Sequence, residues 1–74
     1  MWAHGIITVN EKTMVYAIKH FDKASDYGIN GGRISKIMIQ QNDAVLYSYD
    51  RGEDLAPRND EARKALEQLI ERYN

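Results

Sequence analysis

Alternating polar and apolar residues fill the first third of the chain and predict β-strands. Residues 2–9 and 13–21 alternate in this way and are rich in residue types that favour strands. The polar segment 10–12 separates the two runs, so we expect a β-hairpin. Met14, Tyr16 and Ile18 fall on one side of the second strand because successive side chains point to opposite faces.

A second pair of alternating runs follows a long irregular segment. Residues 34–40 and 44–50 alternate again, and the polar triplet 41–43 provides the turn of a second hairpin. Residues 22–33, between the hairpins, have turn chemistry throughout. Loops of this length in small domains often carry function.

The last residues of the chain have the pattern of an amphipathic helix over about 59–73. Asn59 or Asp60 provides the N-cap, and Arg72 near the end suits the negative end of the helix dipole. Apolar residues recur at helical spacing. They are Ala62, Leu66, Leu69, Ile70 and Tyr73.

The order β-β-loop-β-β-α predicts a single α+β domain over residues 1–74. The expected fold is a four-stranded antiparallel β-meander with the C-terminal α-helix packed on one face. The other face stays uncovered, and we expect large aromatic rings on it, which favours a homo-oligomer or another protein partner. The candidate rings are Trp2, Tyr16, Phe21, Tyr47 and Tyr49.

Composition excludes several classes of function. A chain of 74 residues buries only about 60% of the surface of its unfolded form, so its core is small. It has no cysteine, which rules out disulfides and thiol chemistry and suits the reducing cytoplasm. A net charge of -1 argues against nucleic-acid binding through bulk phosphate attraction. No apolar run approaches the roughly 20 residues of a membrane helix.

The glycine-rich segment Asp26–Arg33 contains the most distinctive chemistry. Glycine and asparagine tolerate positive φ, so this backbone can turn its N–H groups toward an anion, and Arg33 can hold a phosphate or carboxylate. The segment lacks the lysine and hydroxyl of a nucleotide-triphosphatase loop. The alternative is a purely structural connection in which Asn30-Gly31 forms a tight turn.

A second cluster of aromatic, charged and glycine residues ends the fourth strand. We expect Arg51 to lie near Arg33 because the end of strand four is next to the start of strand three. Two arginines and a tyrosine suit a nucleotide, whereas ion pairs with Asp50 or another aspartate are the structural alternative. The predicted ligand-binding residues are Tyr27, Asn30, Gly31, Gly32, Arg33, Ser35, Tyr49 and Arg51.

The sequence gives little support to metal binding or catalysis. His4, His20 and Asp22 form a metal site only if the two histidines face each other across the first hairpin. A hydrolase assembled between subunits would have to use Asp50, Asp54 and His20. A small sheet with one helix offers no deep pocket, so we expect no enzymatic activity, no metal and no cofactor.

The chain resembles a family of short uncharacterised proteins of Gram-positive bacteria and their phages. The most specific segment is Tyr27–Lys36 (YGINGGRISK), and Trp2, Gly5, the Tyr49–Asp54 turn and the closing helix extend the resemblance over nearly the whole chain. Glu53 stands where we expect tryptophan in that family. The resemblance implies no activity. By analogy, small phage proteins of this size often act by binding, either sequestering a nucleotide signal or blocking a host defence protein.

The sequence therefore predicts a small cytoplasmic binding protein without enzymatic activity. The first hypothesis is sequestration of a small anionic ligand, such as a nucleotide signal, at the Gly-Gly-Arg loop. The alternative is a protein-interaction module that inhibits a host defence protein through its aromatic sheet face or a strand edge.

Overall fold

The computed structural model describes residues 1–74 and has five strands followed by one helix. The strands pair in chain order, all antiparallel, so the sheet is a continuous meander. A 3₁₀ turn at Ile29–Gly31 lies in the long loop between the hairpins. The elements are β1 Trp2–Val9, β2 Lys12–His20, β3 Ile34–Gln41, β4 Ala44–Asp50, β5 Glu53–Leu55 and α1 Asp60–Tyr73.

The predicted α+β class, antiparallel meander and C-terminal helix are confirmed, but the predicted number of four strands is wrong. The fifth strand, Glu53–Leu55, has three exposed residues and pairs with β4 through Ser48 and Leu55. A strand this short and acidic carries no alternating pattern. Only the tight turn at Arg51, where φ is 56°, brings it back along β4.

The helix covers one face of the sheet and builds the core there. α1 lies over β1 and β3, and its buried residues Ala62, Ala65 and Leu69 face the strands. Met14 and Ile18 of β2 are at most 1% exposed beneath it. The remaining core residues are Ile7, Val9, Tyr16, Ile29, Ile34, Ile37, Ile39, Leu46 and Tyr47.

The opposite face of the sheet, called the open face below, has no element packed on it. Strand alternation and the pairing register place its side chains. They belong to Trp2, His4, Ile6 and Thr8 of β1, Thr13, Val15, Ala17 and Lys19 of β2, Lys36, Met38 and Gln40 of β3, Val45, Ser48 and Asp50 of β4, and Leu55 of β5.

The expectation that tyrosines occupy the open face is wrong, because they lie on the helix side. Tyr16 crosses Gly5 on the neighbouring strand, and its hydroxyl lies 3.0 Å from that of Tyr73. A Cβ at Gly5 would meet the Tyr16 hydroxyl oxygen at 2.6 Å, so only glycine leaves room for this ring. Tyr47 is 3% exposed, and burial raises its pKa to about 12. Tyr49 is half-buried against the same core.

A β-bulge at the start of β3 interrupts the predicted alternation. Lys19 pairs with Lys36 and His20 with Ile34, so Ser35 is the extra residue. Ile34 and Ser35 are therefore both buried, although they are consecutive. The bulge leaves Lys36 and Met38 on the open face while Ile34 turns into the core.

The helix begins as its sequence predicts. Asn59 is the N-cap, and its side-chain oxygen accepts a hydrogen bond from the Ala62 N–H at 2.8 Å. Asp60 and Glu61 occupy the first turn and Arg72 the last, which matches the helix dipole. This helix is neither long nor apolar enough to cross a membrane.

Replacing the N-cap tests how far the helix depends on it. We expect Asn59→Ala to lower the free energy of unfolding by about 1 kcal/mol, since the Ala62 N–H loses its partner. Asn59→Ser keeps an acceptor and should remain close to the native value in urea denaturation. Equal losses in both variants would contradict the capping role.

Candidate functional site

The glycine-rich loop folds into a chain of tight turns. Asn30 and Gly31 both have left-handed backbone conformations, with φ of 53° and 67°. The Phe21 N–H bonds the Arg33 carbonyl at 3.0 Å, and the Ser25 N–H bonds the Gly32 carbonyl at the same distance. The loop is therefore closed at its base as a compact extension of β2 and β3.

All three glycine N–H groups in this loop bond to carbonyls of the loop itself. Gly28 donates to Ser25 at 3.0 Å, Gly31 to Gly28 at 3.0 Å, and Gly32 to Ile29 at 2.8 Å. An anion-binding concavity needs several N–H groups directed at one point outside the backbone. In the described conformation these three glycines do not supply it.

Close packing accounts for two of the glycines. A Cβ at Gly28 would overlap the Gly32 carbonyl oxygen, and a Cβ at Gly32 would overlap the side-chain amide of Asn74. Asn74 holds the loop from the helix side: its amide oxygen accepts from the Ile34 N–H at 3.1 Å. Its amide nitrogen donates to the Ile29 carbonyl at 3.0 Å. The loop and the end of α1 are thus tied together.

Several of the predicted ligand-binding residues meet at one end of the sheet. The Tyr49 hydroxyl donates to the Tyr27 carbonyl at 3.0 Å, and the Arg51 N–H donates to the Ser35 carbonyl at 2.9 Å. The Tyr27 ring is 68% exposed. It borders a shallow depression of about 420 Å³ with Asp50 and Arg51. Asn30 and Gly31 project into solvent at the loop tip.

The two arginines of this cluster differ in their ion pairing. Arg51 lies 3.6 Å from Asp50, which also lies 3.8 Å from Lys36. The intramolecular alternative considered for Arg51 is therefore present. Arg33 is exposed and forms no ion pair. Its guanidinium remains available to an external anion.

The two histidines lie on opposite faces of the sheet. His4 is on the open face, stacked on Trp2 with ring centroids 6.0 Å apart. His20 packs against Tyr73 of the helix, with centroids 5.5 Å apart. The two histidines therefore do not face each other across the first hairpin, as a metal site would require. No group of three His, Asp or Glu side chains has metal-binding geometry.

The open face contains most of the exposed large apolar side chains. Five of the eight in the chain lie on it. They are Trp2 at 51% exposed, Ile6 at 68%, Val15 at 47%, Met38 at 41% and Leu55 at 38%. Two shallow depressions of about 380 and 370 Å³ meet at Met38, one beside Ile6 and Val15 and the other beside Trp2. Met38 is thus the centre of an apolar surface.

A row of charged residues crosses the open face next to this apolar surface. Trp2 pairs with Lys19, Lys19 with Lys36, and Lys36 with Asp50 on successive strands. Two lysines directly opposite each other destabilise a sheet. Asp50 compensates Lys36 in part, and the Lys19 ammonium lies 5.5 Å from the centre of the Phe21 ring. Lys19 has no carboxylate partner.

The profile of a family described as a domain of unknown function, DUF7678, matches residues 1–74. The chain belongs to the DUF7678 family. This finding supports the expected resemblance to a family of unknown function, while its motif, Gram-positive and phage associations stay predictions. No curated protein and no solved structure matches the chain.

For this DUF7678 domain, sequence reasoning predicted an uncovered sheet face but expected mainly aromatic rings on it. Ile6, Val15 and Met38 were not among the predicted site residues. The signal was in the strand alternation, because each is on the side opposite to the residues that pack on the helix. Each of three neighbouring strands thus has an exposed apolar residue on the open face.

The loop of the DUF7678 domain depends on Asn74, and substitution tests this. We expect Asn74→Ala to lower the free energy of unfolding by about 1–3 kcal/mol, because the Ile34 N–H and the Ile29 carbonyl both lose a partner. Glu71→Ala, at an exposed site in the same helical turn, is the control and should change it by less than about 0.5 kcal/mol. Equal effects of the two substitutions in thermal or chemical denaturation would contradict this role of Asn74.

Proposed function

We propose that this domain is a non-enzymatic binding module that docks a partner protein on its open face. The observation that carries the proposal is the concentration of exposed apolar side chains on this face. Monomeric proteins rarely leave a contiguous apolar surface uncovered unless it binds something. The proposed biological setting, by analogy, is a phage-encoded inhibitor that holds a host defence protein in the cytoplasm.

The chemistry of the face specifies the partner further. Trp2, Met38 and their neighbours suit an apolar anchor, since aromatic residues and methionine are enriched at interfaces. Lys19 and Lys36 lie beside the apolar surface and repel each other. An acidic side chain of the partner over the two lysines would relieve this repulsion. We therefore propose a partner with an apolar centre and an acidic rim.

Matched substitutions test docking on the open face. We expect Met38→Lys to weaken partner binding by about tenfold or more, the effect of losing a central contact worth about 1.4 kcal/mol. Gln68→Lys adds the same charge at an exposed position of the helix and should bind normally. The measurement is affinity for the protein recovered with the native chain from its host, by calorimetry or interferometry.

A second matched pair of variants tests how charge contributes to docking on the open face. We expect Lys19→Glu to reduce the association rate and its dependence on salt, whereas Lys64→Glu, with the same change in net charge on the helix, should leave both unchanged. Equal binding by Met38→Lys and Gln68→Lys, with no difference between the lysine variants, would exclude the open face as the docking surface.

The loop cluster supports a second candidate function, the binding of a small anionic ligand such as a nucleotide. The unpaired Arg33 guanidinium and the exposed Tyr27 ring favour it, because a phosphate and a base suit such groups. The proposed ligand-binding residues are Tyr27, Asn30, Gly31, Gly32, Arg33, Ser35, Tyr49 and Arg51. The side chains of Arg33 and Arg51 supply the attraction in this candidate, since the glycine N–H groups are engaged within the loop.

Titration with adenosine monophosphate and with inorganic phosphate tests this candidate. If the nucleotide binds, Arg33→Ala should weaken it by about tenfold, the equivalent of one charge-assisted contact. Arg58→Ala removes the same charge from an exposed residue that forms no ion pair and should have no effect. Unchanged affinity in Arg33→Ala would reject the loop site.

A further inference from the structure

Strand β1 forms one edge of the sheet, and its outer side presents unpaired backbone groups. The Met1 carbonyl accepts from the His20 N–H at 2.9 Å, and the Met1 amino group donates to the His20 carbonyl at 3.1 Å. Hydrogen-bonded pairs alternate along an antiparallel ladder. Every second residue of β1 therefore directs its N–H and C=O groups away from β2. These outer-edge residues are Trp2, His4, Ile6 and Thr8.

This edge lacks the features that prevent strand pairing. Soluble proteins protect edge strands with lysine and other charges, proline, bulges or short length. β1 has eight residues, Trp-Ala-His-Gly-Ile-Ile-Thr-Val, with no charged residue and no proline. Its pairing with β2 continues without a register shift from Trp2 to Val9. A regular, uncharged edge of this length is a template for another strand.

The opposite edge of the same sheet is protected. β5 covers part of β4 and has only three residues, two of them acidic. Beyond β5, the Arg58 N–H donates to the Leu46 carbonyl at 3.0 Å, which closes more of the β4 edge. Of the two edges, β1 is therefore the one that offers a long strand without protecting charges.

We propose that β1 pairs antiparallel with β1 of a second copy of this chain, which joins two five-stranded sheets into one sheet of ten strands. The register follows from the outer-edge residues. A two-fold axis at Gly5 pairs His4 with Ile6 of the other copy and Trp2 with Thr8. All the outward backbone groups of both strands are then used, whereas a shift by two residues in either direction leaves some of them unpaired.

The side chains are compatible with this arrangement. No charged residue on β1 opposes a copy of itself, and the axis passes beside Gly5, which has no side chain. Ile6, the most exposed large apolar residue within the strands, gains a neighbour from the other copy. Both helices lie on the same side, so the two open faces form one continuous surface. The pairing is independent of the proposed partner binding.

Amide hydrogen exchange of the native chain tests the pairing without mutation. In the dimer, the outward N–H groups of His4 and Ile6 should exchange as slowly as those of Gly5 and Ile7, which bond to β2. The expected protection is at least tenfold over the same amides at a dilution that yields monomer. Rapid exchange of His4 and Ile6 at every concentration would overturn the proposal.

Sedimentation of two variants distinguishes the edge from the face. Ile6→Pro removes an outward N–H without breaking a bond to β2 and should convert the dimer to monomer. Val15→Lys alters the neighbouring strand on the open face and should leave the dimer intact. If Val15→Lys abolishes association and Ile6→Pro does not, the copies associate face to face and the edge proposal is wrong.

The absence of native cysteine allows a direct test of the register. Chains with His4→Cys and chains with Ile6→Cys, mixed under mild oxidation, should form a disulfide between unlike chains in preference to like ones. Preference for like chains would contradict the axis at Gly5. A monomer at all concentrations by sedimentation, with both variants folded by circular dichroism, would also overturn the pairing.

Discussion

The structure depends on one constraint: a single helix can bury only one face of the sheet. Met14, Ile18 and Leu69 are almost fully buried where α1 meets the strands, and this contact accounts for the hydrophobic core. A chain of this size has no further element for the second face. Strand alternation nevertheless places apolar residues there as well. The uncovered surface is thus a consequence of how the core is built, and its apolar composition is the basis of the proposed partner binding.

Much of the fold can be read from the sequence because its signals are local. The alternation of residues 2–9 and 13–21 and the capped helix from Asn59 lead directly to the observed β1, β2 and α1. The sequence pattern does not predict β5, because three residues are too few to show a period. Its position follows from the turn at Arg51. The burial of Tyr16 is also non-local, since it depends on Gly5 of the neighbouring strand and on Tyr73 of the helix.

The candidate sites show the same division between local and non-local information. The glycines of the loop are conspicuous in the sequence and suggest an anion site. Glycine is nevertheless needed at position 28 because of the close Gly32 carbonyl, and at position 32 because of the close Asn74 side chain. No local pattern reveals such close approaches. The open face, in contrast, is implied by the strand periodicity. The structure corrects its composition: Ile6, Val15 and Met38 are exposed there in place of the expected tyrosines. This apolar surface moves the proposed function from the loop toward the sheet.

The three methionines allow the most direct measurement of the central claim, that the open face binds a partner protein. Met1 is 75% exposed, Met38 41% and Met14 1%, so oxidative footprinting with mass spectrometry contains its own references. Met38 should oxidise readily in the purified chain and become protected in extract of the host cell, while Met1 stays reactive and Met14 unreactive. Equal oxidation of Met38 in both conditions would contradict docking on the open face.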